Sequence, residues 1–267
     1  MPQDFFQILW IFFIYACIGW ALEVAYATLN TGKFINRGFL NGPLCPIYGC
    51  GMLLAIICLY PLKENLIILF AGALFFATLL ELLTGYALEK LFHNKWWDYS
   101  KLPFNFKGYI CLKFSIYWGA AGVFVIKIIH PVIYSIMQIV PPIISHIFLY
   151  ILIVAIISDI TVTVISVLKL NKHIYALEEI AIKLHTLSEE LGENISDTTL
   201  NAQERNKQLS KKYHEDREKI EAKYKELMSH TPFGAKRIIN AFPNMRHVKR
   251  DEIFKKYKQH LEKNIHK

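Results

Sequence analysis

Five long apolar stretches occupy most of the first 168 residues, and they constrain the fold more than any other feature of the chain. They run over Phe5–Leu29, Ile47–Leu62, Leu66–Leu88, Cys111–Ile129 and Ile143–Leu168. About 20 helical residues cross the roughly 30 Å of a bilayer's hydrocarbon core, so the stretches predict transmembrane helices. The second is short, and its glycine- and proline-containing entrance is predicted to dip into the membrane. We therefore predict an all-α, polytopic membrane helix bundle of about five spans, one of them broken or short.

A further apolar segment, Pro131–Pro142, is too short to cross a bilayer and is bounded by prolines. Proline interrupts helices because it lacks an N–H group and clashes with the preceding turn. We interpret this segment as lying at the outer surface, with a sixth, half-length span as the alternative.

Charged residues are distributed very unevenly along the chain. It is 54% hydrophobic and 19% charged, yet 36 of its 52 charged residues lie between Lys169 and Lys267. This excludes a single soluble domain, because soluble domains carry about 25% charged residues. The sequence instead predicts a transmembrane bundle over residues 1–168 and a cytoplasmic, charged helical and coiled-coil tail over residues 169–267.

The positive charges predict the orientation in the membrane. Of the net charge of +8, +6 lies in the tail, and the loops Asn30–Asn41 and Glu89–Lys113 carry seven Lys and Arg residues against two on the opposite side. Positive loops stay in the cytoplasm, so we expect the N-terminus outside and the tail inside a bacterial cell. A basic tail beside a membrane is expected to contact the anionic lipids of the bilayer. No nucleic acid is expected, because basic and acidic residues alternate in the tail instead of forming a basic block.

The sequence offers no recognisable cofactor or catalytic motif. Its five cysteines show no CxxC or Cys/His spacing, so neither a zinc site nor a disulfide framework is indicated. It has no GxxxxGK[ST] phosphate-binding loop and cannot hydrolyse ATP in that manner. We expect no cofactor and no metal, and the lack of a Ser/His/Asp or Cys/His arrangement argues against an enzyme.

Three predicted spans carry one carboxylate each, Glu23, Glu81 and Asp159. At 1.5 Å per residue they lie about 9, 10 and 14 Å from the cytoplasmic ends of their spans, at one shared level. An ionisable group at that depth costs roughly 2.5–3.5 kcal/mol and normally faces the bundle interior. Since no Lys or Arg lies at this level, each acid must be protonated, bind a cation or receive a base from an inner loop. The candidates for that base are Arg37, Lys107 and Lys113.

Two interpretations of this shared level stay open. In the functional one, the acids line a polar chamber that opens to the cytoplasm and holds a cationic or proton-coupled substrate. In the structural one, they are hydrogen-bonded carboxyls that hold helices together, and Glu23, beside Trp20, suits that role best.

The two inner loops supply the other candidate residues. The first, from Asn36 to Gly49, is rich in turn formers at membrane depth, where irregular backbone needs protein or water partners. The second, from Trp96 to Leu112, predicts an amphipathic lid, with an interfacial aromatic belt as the alternative. The full set of predicted substrate- or ion-binding residues is Glu23, Glu81, Asp159, Arg37, Asn41, Tyr48, Trp97, Asp98, Tyr99 and Asn105.

The strings GFLNGPLCPIYGCG, LEKLF followed by WWDYS, and PFNFKGYICL with a downstream WG resemble a bacterial membrane family. That family is named "putative ABC-transporter type IV", or CmpB-like permeases, and the resemblance covers roughly residues 12–122. The segment Ala241–Met245 is similar to it as well. The resemblance implies a multi-pass plasma-membrane protein with a transport role, and an ABC permease of this kind would require a separate ATPase subunit. The motif positions are Arg37, Asn41, Pro43, Pro46, Tyr48, Glu81, Trp97, Asp98, Tyr99, Asn105 and Cys111.

The tail carries a heptad-like apolar seam that continues out of the last span. Leu177, Ile180, Leu184, Leu187 and Leu191 alternate at spacings of three and four. This pattern predicts a short coiled coil, interrupted over Gly192–Thr199 and followed by charged helices near Leu200–Met228 and Asp251–Lys263. Homo-oligomerisation or partner docking is one interpretation of the seam, and a helical hairpin packed on itself is the other.

These features favour a transporter permease subunit with a polar site at inner-leaflet depth. The alternatives are an integral-membrane enzyme that acts on a lipid or isoprenoid at the cytoplasmic face, with Asp98 and a carboxylate as acid and base, and a membrane scaffold that displays a coiled tail. An enzyme would require a metal or a nucleophile, and a scaffold would not require buried acids.

The charge bias predicts the result of a topology experiment. A reporter fused after Lys169, or within Asn94–Lys101, should be read as cytoplasmic, and one within Lys63–Asn65 as external. Reporter activity and labelling of single cysteines in intact cells would measure both. An external signal from the Asn94–Lys101 loop would contradict the orientation.

Overall fold

The computed structural model describes residue 2, residues 4–196 and residues 203–263. Its α-helices are α1 (Phe5–Thr31), α2 (Pro46–Leu59), α3 (Leu66–Phe92), α4 (Leu112–Phe124), α5 (His130–Ile139), α6 (Pro142–Ser196), α7 (Gln203–Ser229), α8 (Ala235–Ala241) and α9 (Asp251–Lys263). A 3₁₀ turn, Tyr60–Leu62, follows α2, and a π-helical turn, Val125–Ile129, joins α4 to α5. The strands have two residues each: β1 (Asn94–Lys95), β2 (Asn105–Phe106), β3 (Ile110–Cys111) and β4 (Arg246–His247). The predicted all-α class is confirmed.

The helices confirm a membrane bundle. Those long and apolar enough to cross a bilayer, within the described part of the chain, are Phe5–Thr31, Leu66–Phe92, Leu112–Ile139 and Pro142–Glu189. A shorter apolar helix covers Pro46–Leu62, where the sequence predicts the short span. Large apolar side chains such as Ile67, 80% exposed, and Val154, 66% exposed, face outward from these helices, as lipid-facing residues do.

The segment Pro131–Pro142 differs from its prediction as a separate surface segment. It is helical, and α4, the π-helical turn and α5 form one continuous helix, Leu112–Ile139. The wide turn lies directly before Pro131, where a regular helix would bring the proline ring against the preceding turn, so it absorbs the clash. The helix ends at Val140, whose extended backbone is the conformation favoured before a proline.

Two compact units can be distinguished in the chain. The first comprises Met1–Ile165 together with Arg237–Met245, and the second comprises Ser166–Lys236 together with Arg246–Lys267. The predicted division between residues 168 and 169 stays a prediction.

In the first unit, α1 packs on α2, α2 on α3, and α3 on α4. Ile11 and Tyr15 of α1 form one buried cluster with Ile56 of α2, and a second cluster joins Leu69 of α3 to Ile126. These contacts hold the helices that carry Glu23 and Glu81 at fixed positions.

Glycines allow α1 and α2 to approach each other closely. A Cβ atom on Gly19 would lie 2.2 Å from Cγ of Tyr48, and one on Gly49 would lie 2.6 Å from the carbonyl oxygen of Phe12. Small residues at such crossings are typical of membrane helix pairs, because van der Waals packing drives their association. The position of Tyr48 therefore depends on the missing side chain at residue 19.

In the second unit, α6 extends far beyond the apolar part of its sequence. Leu177 and Ile180 of the predicted seam are buried within the chain. Helix α6 continues to Ser196, through the first part of the predicted interruption of the seam over Gly192–Thr199, and the rest of that segment lies outside the described residues. The side chain of Leu191 also lies outside them, and coiled-coil association through the seam stays a prediction.

The remaining tail helices lie close to their predicted positions. Helix α7 covers Gln203–Ser229, while Leu200, the predicted start, is outside the described residues. Helix α9 has the predicted bounds, Asp251–Lys263, and its Phe254 and Tyr257 side chains are buried. Arg250 pairs with Glu178 and stacks over the Tyr175 ring at 3.6 Å, which ties the start of α9 to α6.

The close approach at Gly19 predicts a strong steric effect. Gly19→Ala should destabilise the α1–α2 pair by about 1–3 kcal/mol, since Tyr48 must move to accommodate the new methyl group. Thermal unfolding in detergent would measure the change. Gly51→Ala is the matched control, because its nearest neighbour is the flexible end of Leu80 at 3.1 Å, and it should be neutral or stabilising.

Candidate functional site

The structure gives each of the three predicted carboxylates a different environment. Glu23 and Asp159 have several polar partners, whereas Glu81 has one. All the side chains that reach them come from the loops and helix starts between α1 and α2 or between α3 and α4, apart from Thr163 on α6. The two loops thus supply most of the described partners of the three acids.

Glu23 forms an ion pair and a hydrogen bond. Arg37 places its Nε atom 3.4 Å from Oε2, and Tyr48 donates its hydroxyl to Oε1 at 2.7 Å. Arg37 also lies over the ring of Tyr26, at 5.5 Å. Of the predicted inner-loop bases, Arg37 is therefore the one that pairs with this acid. Trp20 donates to Asn36 instead of to Glu23.

Asp159 is an anchor for the first inner loop. Its two carboxylate oxygens accept the backbone N–H groups of Asn41 and Gly42, at 2.9 and 2.7 Å, and the Asn41 amide at 2.7 Å. The Thr163 hydroxyl donates to it as well, at 3.3 Å. Because these donors satisfy an ionised carboxylate, they explain how a charge is tolerated in α6.

Glu81 is the least satisfied of the three acids. Its side chain is buried, with 8% of the residue exposed, and Tyr99 donates its hydroxyl to Oε1 at 3.0 Å. The second oxygen, Oε2, is buried without a hydrogen-bond partner among the described residues. A carboxyl in this state carries a proton or requires a cation, since an unpaired buried charge is very costly.

Tyr99 connects the environments of Glu81 and Glu23. Burial raises its pKa above the usual value of tyrosine, and the negative charges of Glu81 and, more weakly, Glu23 raise it further. The phenol therefore keeps its proton over the physiological range and acts as a donor. Tyr48, Tyr99 and the two glutamates thus form a group at the inner ends of α1, α2 and α3.

The second inner loop is a small folded unit. Strands β2 and β3 pair in antiparallel register, with Asn105 opposite Cys111. Trp97 donates its indole N–H to the Tyr109 carbonyl at 2.8 Å, and the Tyr99 N–H bonds to the Gly108 carbonyl at 2.9 Å. This framework places the Tyr99 ring against Phe114 of α4, with ring centroids 4.9 Å apart.

Asp98 and Asn105 support this loop. Asp98 accepts hydrogen bonds from the backbone N–H and the hydroxyl of Ser100, and Asn105 donates to the Leu102 carbonyl at 2.7 Å. The Gly108 N–H donates to Asn105 at 3.2 Å. These hydrogen bonds lie within the loop, and a substrate-binding role of the two residues stays a prediction.

Sequence reasoning missed the role of Lys95. Only 9% of this residue is exposed, and its Nζ atom donates to the Lys107 carbonyl at 2.6 Å. The same atom lies 3.8 Å from Asp98 and 4.8 Å from the centre of the Tyr109 ring. From the sequence, Lys95 is only one of the positive charges that set the orientation, because its aromatic and carbonyl partners come from residues 12 to 14 positions away.

Sequence reasoning also missed Arg237. Its guanidinium donates to three successive carbonyl groups of the first inner loop, those of Gly38, Phe39 and Leu40, at 2.9–3.1 Å. Burial lowers its pKa, while the charge of Asp159 opposes that effect, so the group stays protonated next to this loop. Phe242, which follows Arg237 closely in the sequence, packs on Trp96, with ring centroids 4.9 Å apart. The one sequence signal was the family resemblance of the neighbouring Ala241–Met245.

Among the described residues, no group of three or more His, Cys, Asp or Glu side chains is placed to hold a metal ion.

The family of the chain follows from its sequence match. Residues 10–164 match the model of the family described as "Putative ABC-transporter type IV". The chain belongs to this family. The match covers every predicted site residue and ends before Arg237. Family membership and the apolar helices together fit a membrane transporter component, which in an ABC system is paired with an ATPase. No curated protein and no solved structure matches the chain significantly.

The three carbonyl contacts of Arg237 predict a stabilising role. Arg237→Ala should lower the free energy of unfolding by about 2–4 kcal/mol, because three hydrogen bonds to a charged donor are lost in a partly buried place. Arg237→Lys should recover only part of this, since an ammonium group cannot match the guanidinium geometry. Thermal unfolding in detergent gives both values. Lys236→Ala is the control at an exposed neighbouring position, and an equal loss there would refute the assignment.

Proposed function

We propose that this protein is a transporter permease subunit with a polar site at inner-leaflet depth, where the Glu81 carboxyl binds a cationic or proton-coupled substrate. The observation that carries the proposal is the buried Oε2 atom of Glu81, which lacks a partner among the described residues. A helix in a bilayer rarely keeps an unsatisfied carboxyl unless function requires it, because such a group is costly.

The other two acids act mainly as supports in this proposal. Glu23 is neutralised by Arg37, and Asp159 by backbone and side-chain donors. They hold the first inner loop against α1 and α6, and through Tyr48 and Asn41 they fix the wall beside the site. Glu81 is therefore the acid with free binding capacity, although all three lie at one depth.

Tyr99 is the proposed link between substrate binding and the cytoplasmic face. The Tyr99 hydroxyl donates to Glu81, and Tyr99 belongs to the second inner loop. The hydrogen bonds within that loop would allow the loop to move as one unit. A displacement of that loop would remove the one hydrogen bond of Glu81 and change its affinity for a proton or cation. Trp97, Asp98 and Asn105 contribute by maintaining the loop fold.

The remaining proposals concern orientation and partners. The charge distribution supports a multi-pass protein of the bacterial cell membrane, with the N-terminus outside and the tail in the cytoplasm. A separate ATPase subunit would supply the energy, since the sequence has no phosphate-binding loop of the GxxxxGK[ST] type. The tail is the proposed surface for homo-oligomerisation, by its apolar seam.

The alternative of a lipid-modifying enzyme has less support. It requires Asp98 as an acid or base, but this carboxylate accepts two hydrogen bonds from Ser100 and lies near Lys95. General acid–base catalysis requires a group that can reach the substrate's proton. A membrane scaffold, the third candidate, would not require a buried carboxyl such as that of Glu81.

The proposal predicts a separation of stability from activity at residue 81. Glu81→Gln retains an acceptor for the Tyr99 hydroxyl, so it should change stability by less than about 1 kcal/mol, yet it removes the titrating proton and should abolish activity. Asp159→Asn should instead lose stability, because an amide cannot accept from all the donors that the carboxylate satisfies. Complementation of a deletion strain and thermal unfolding in detergent measure the two properties.

Glu64→Gln is the matched control, since its side chain is 82% exposed and it belongs to a connection between helices. It should leave both properties unchanged. Full complementation by Glu81→Gln would remove the main support of the proposal.

A further inference from the structure

A cavity of about 410 Å³ lies in the second compact unit, within the size range of small-molecule sites. Its walls come from the part of α6 directly after the apolar span and from the connection between α7 and α8. The residues that bear on its chemistry are Lys169, Lys172, His173, His230 and Phe233. Neither the carboxylate site nor the family description accounts for it.

The cavity is basic. Lys169 and Lys172 are one helical turn apart on α6 and both are exposed, so their ammonium groups are available to a ligand. Two histidines lie in the same wall, and no Asp or Glu lines the cavity. A group of positive and imidazole side chains without a lining carboxylate is suited to an anion with several oxygens, such as a phosphate.

A buried polar atom in the wall also points to a ligand. Only 7% of His173 is exposed, and its Nε2 atom has no hydrogen-bond partner among the described residues. The ring is held between His230, at 5.6 Å, and Tyr257, at 5.0 Å between centroids. Tyr257 in turn donates to the His230 carbonyl at 3.0 Å, which fixes the wall. A water that a bound ligand orders in the cavity would donate a hydrogen bond to this unpartnered nitrogen.

The position along α6 identifies the source of the phosphate. Lys169 directly follows Leu168, the end of the predicted span, and Leu168 is 51% exposed. Phe233, at the cavity, is 68% exposed, as is suitable for an aromatic ring at the level of lipid headgroups and glycerol. Inorganic phosphate would leave this exposed ring uncovered, whereas a phospholipid would bury it.

We propose that this cavity binds the phosphate headgroup of an anionic phospholipid, with Lys169 and Lys172 as charge partners, His173 and His230 as the polar wall, and Phe233 as the contact to the glycerol and upper acyl region. The site is independent of the carboxylates of the bundle. Lipid bound there would fix the start of the tail at the membrane surface.

The test uses the full chain purified in detergent. Titration with phosphatidylglycerol, with phosphatidylcholine and with inorganic phosphate is followed by native mass spectrometry and thermal unfolding. Phosphatidylglycerol should bind and stabilise the wild type in preference to phosphatidylcholine. Lys169→Gln with Lys172→Gln should weaken that binding by roughly 30-fold, since each lysine near an anionic surface contributes about fivefold. Phe233→Ala should weaken lipid binding further.

Matched variants separate a site from general attraction and from misfolding. Lys211→Gln with Lys212→Gln removes the same charge from exposed positions of α7 and should leave binding unchanged. Lys169→Arg with Lys172→Arg keeps the charge and should retain binding. An equal loss in both glutamine variants would overturn the proposal, as would equal binding of the two lipids. If millimolar inorganic phosphate saturates the cavity without reducing lipid binding, the cavity binds a free anion, and the proposal is overturned as well.

Discussion

The absence of water in the hydrocarbon core is the constraint on which this structure depends. A polar group at that depth must find its partner in the protein, and here the partners arrive on two loops that enter from one side. Arg37, Asn41 and Tyr48 come with the first loop, and Tyr99 comes with the second. The glycines at positions 19 and 49 serve the same end, because they let the helix after the first loop lie directly against α1.

The three acids meet that constraint in different ways. An ionised carboxylate with an arginine or with several N–H donors is electrically satisfied and behaves as a structural joint. A carboxyl with one phenol donor, such as that of Glu81, keeps an oxygen without a hydrogen-bond partner among the described residues. The distinction lies in the number of donors, so the same sequence feature, one acid for each span, occurs in different hydrogen-bonding environments.

The fold was largely predictable from the sequence, because hydropathy and span length follow directly from the bilayer. The need for a base from an inner loop was predictable for the same reason, because an intramembrane charge requires a partner, but Arg37 was one of three candidates and its pairing with Glu23 came from the structure. The hydrogen bonds of Asp98 and Asn105 within their loop could not be predicted, since they depend on turns that composition does not specify. Lys95 and Arg237 could not be found from local pattern, because their acceptors are backbone carbonyl groups, which every residue carries. The continuous α4–α5 helix shows that a proline preceded by a π-helical turn does not have to end a helix.

The Arg237 contact has a consequence for how the protein is made. Gly38 and Arg237 are 199 positions apart, so the first inner loop is synthesised long before the side chain that closes it. At about 5–20 residues per second, the ribosome requires roughly 10–40 s to bridge that distance. During this interval the three carbonyl groups of the α1–α2 connection lack the Arg237 donor. The bundle therefore reaches its final form only after residue 237 has left the ribosome. A nascent chain stalled before residue 237 would thus present an inserted bundle with an incompletely closed first loop to quality-control proteases.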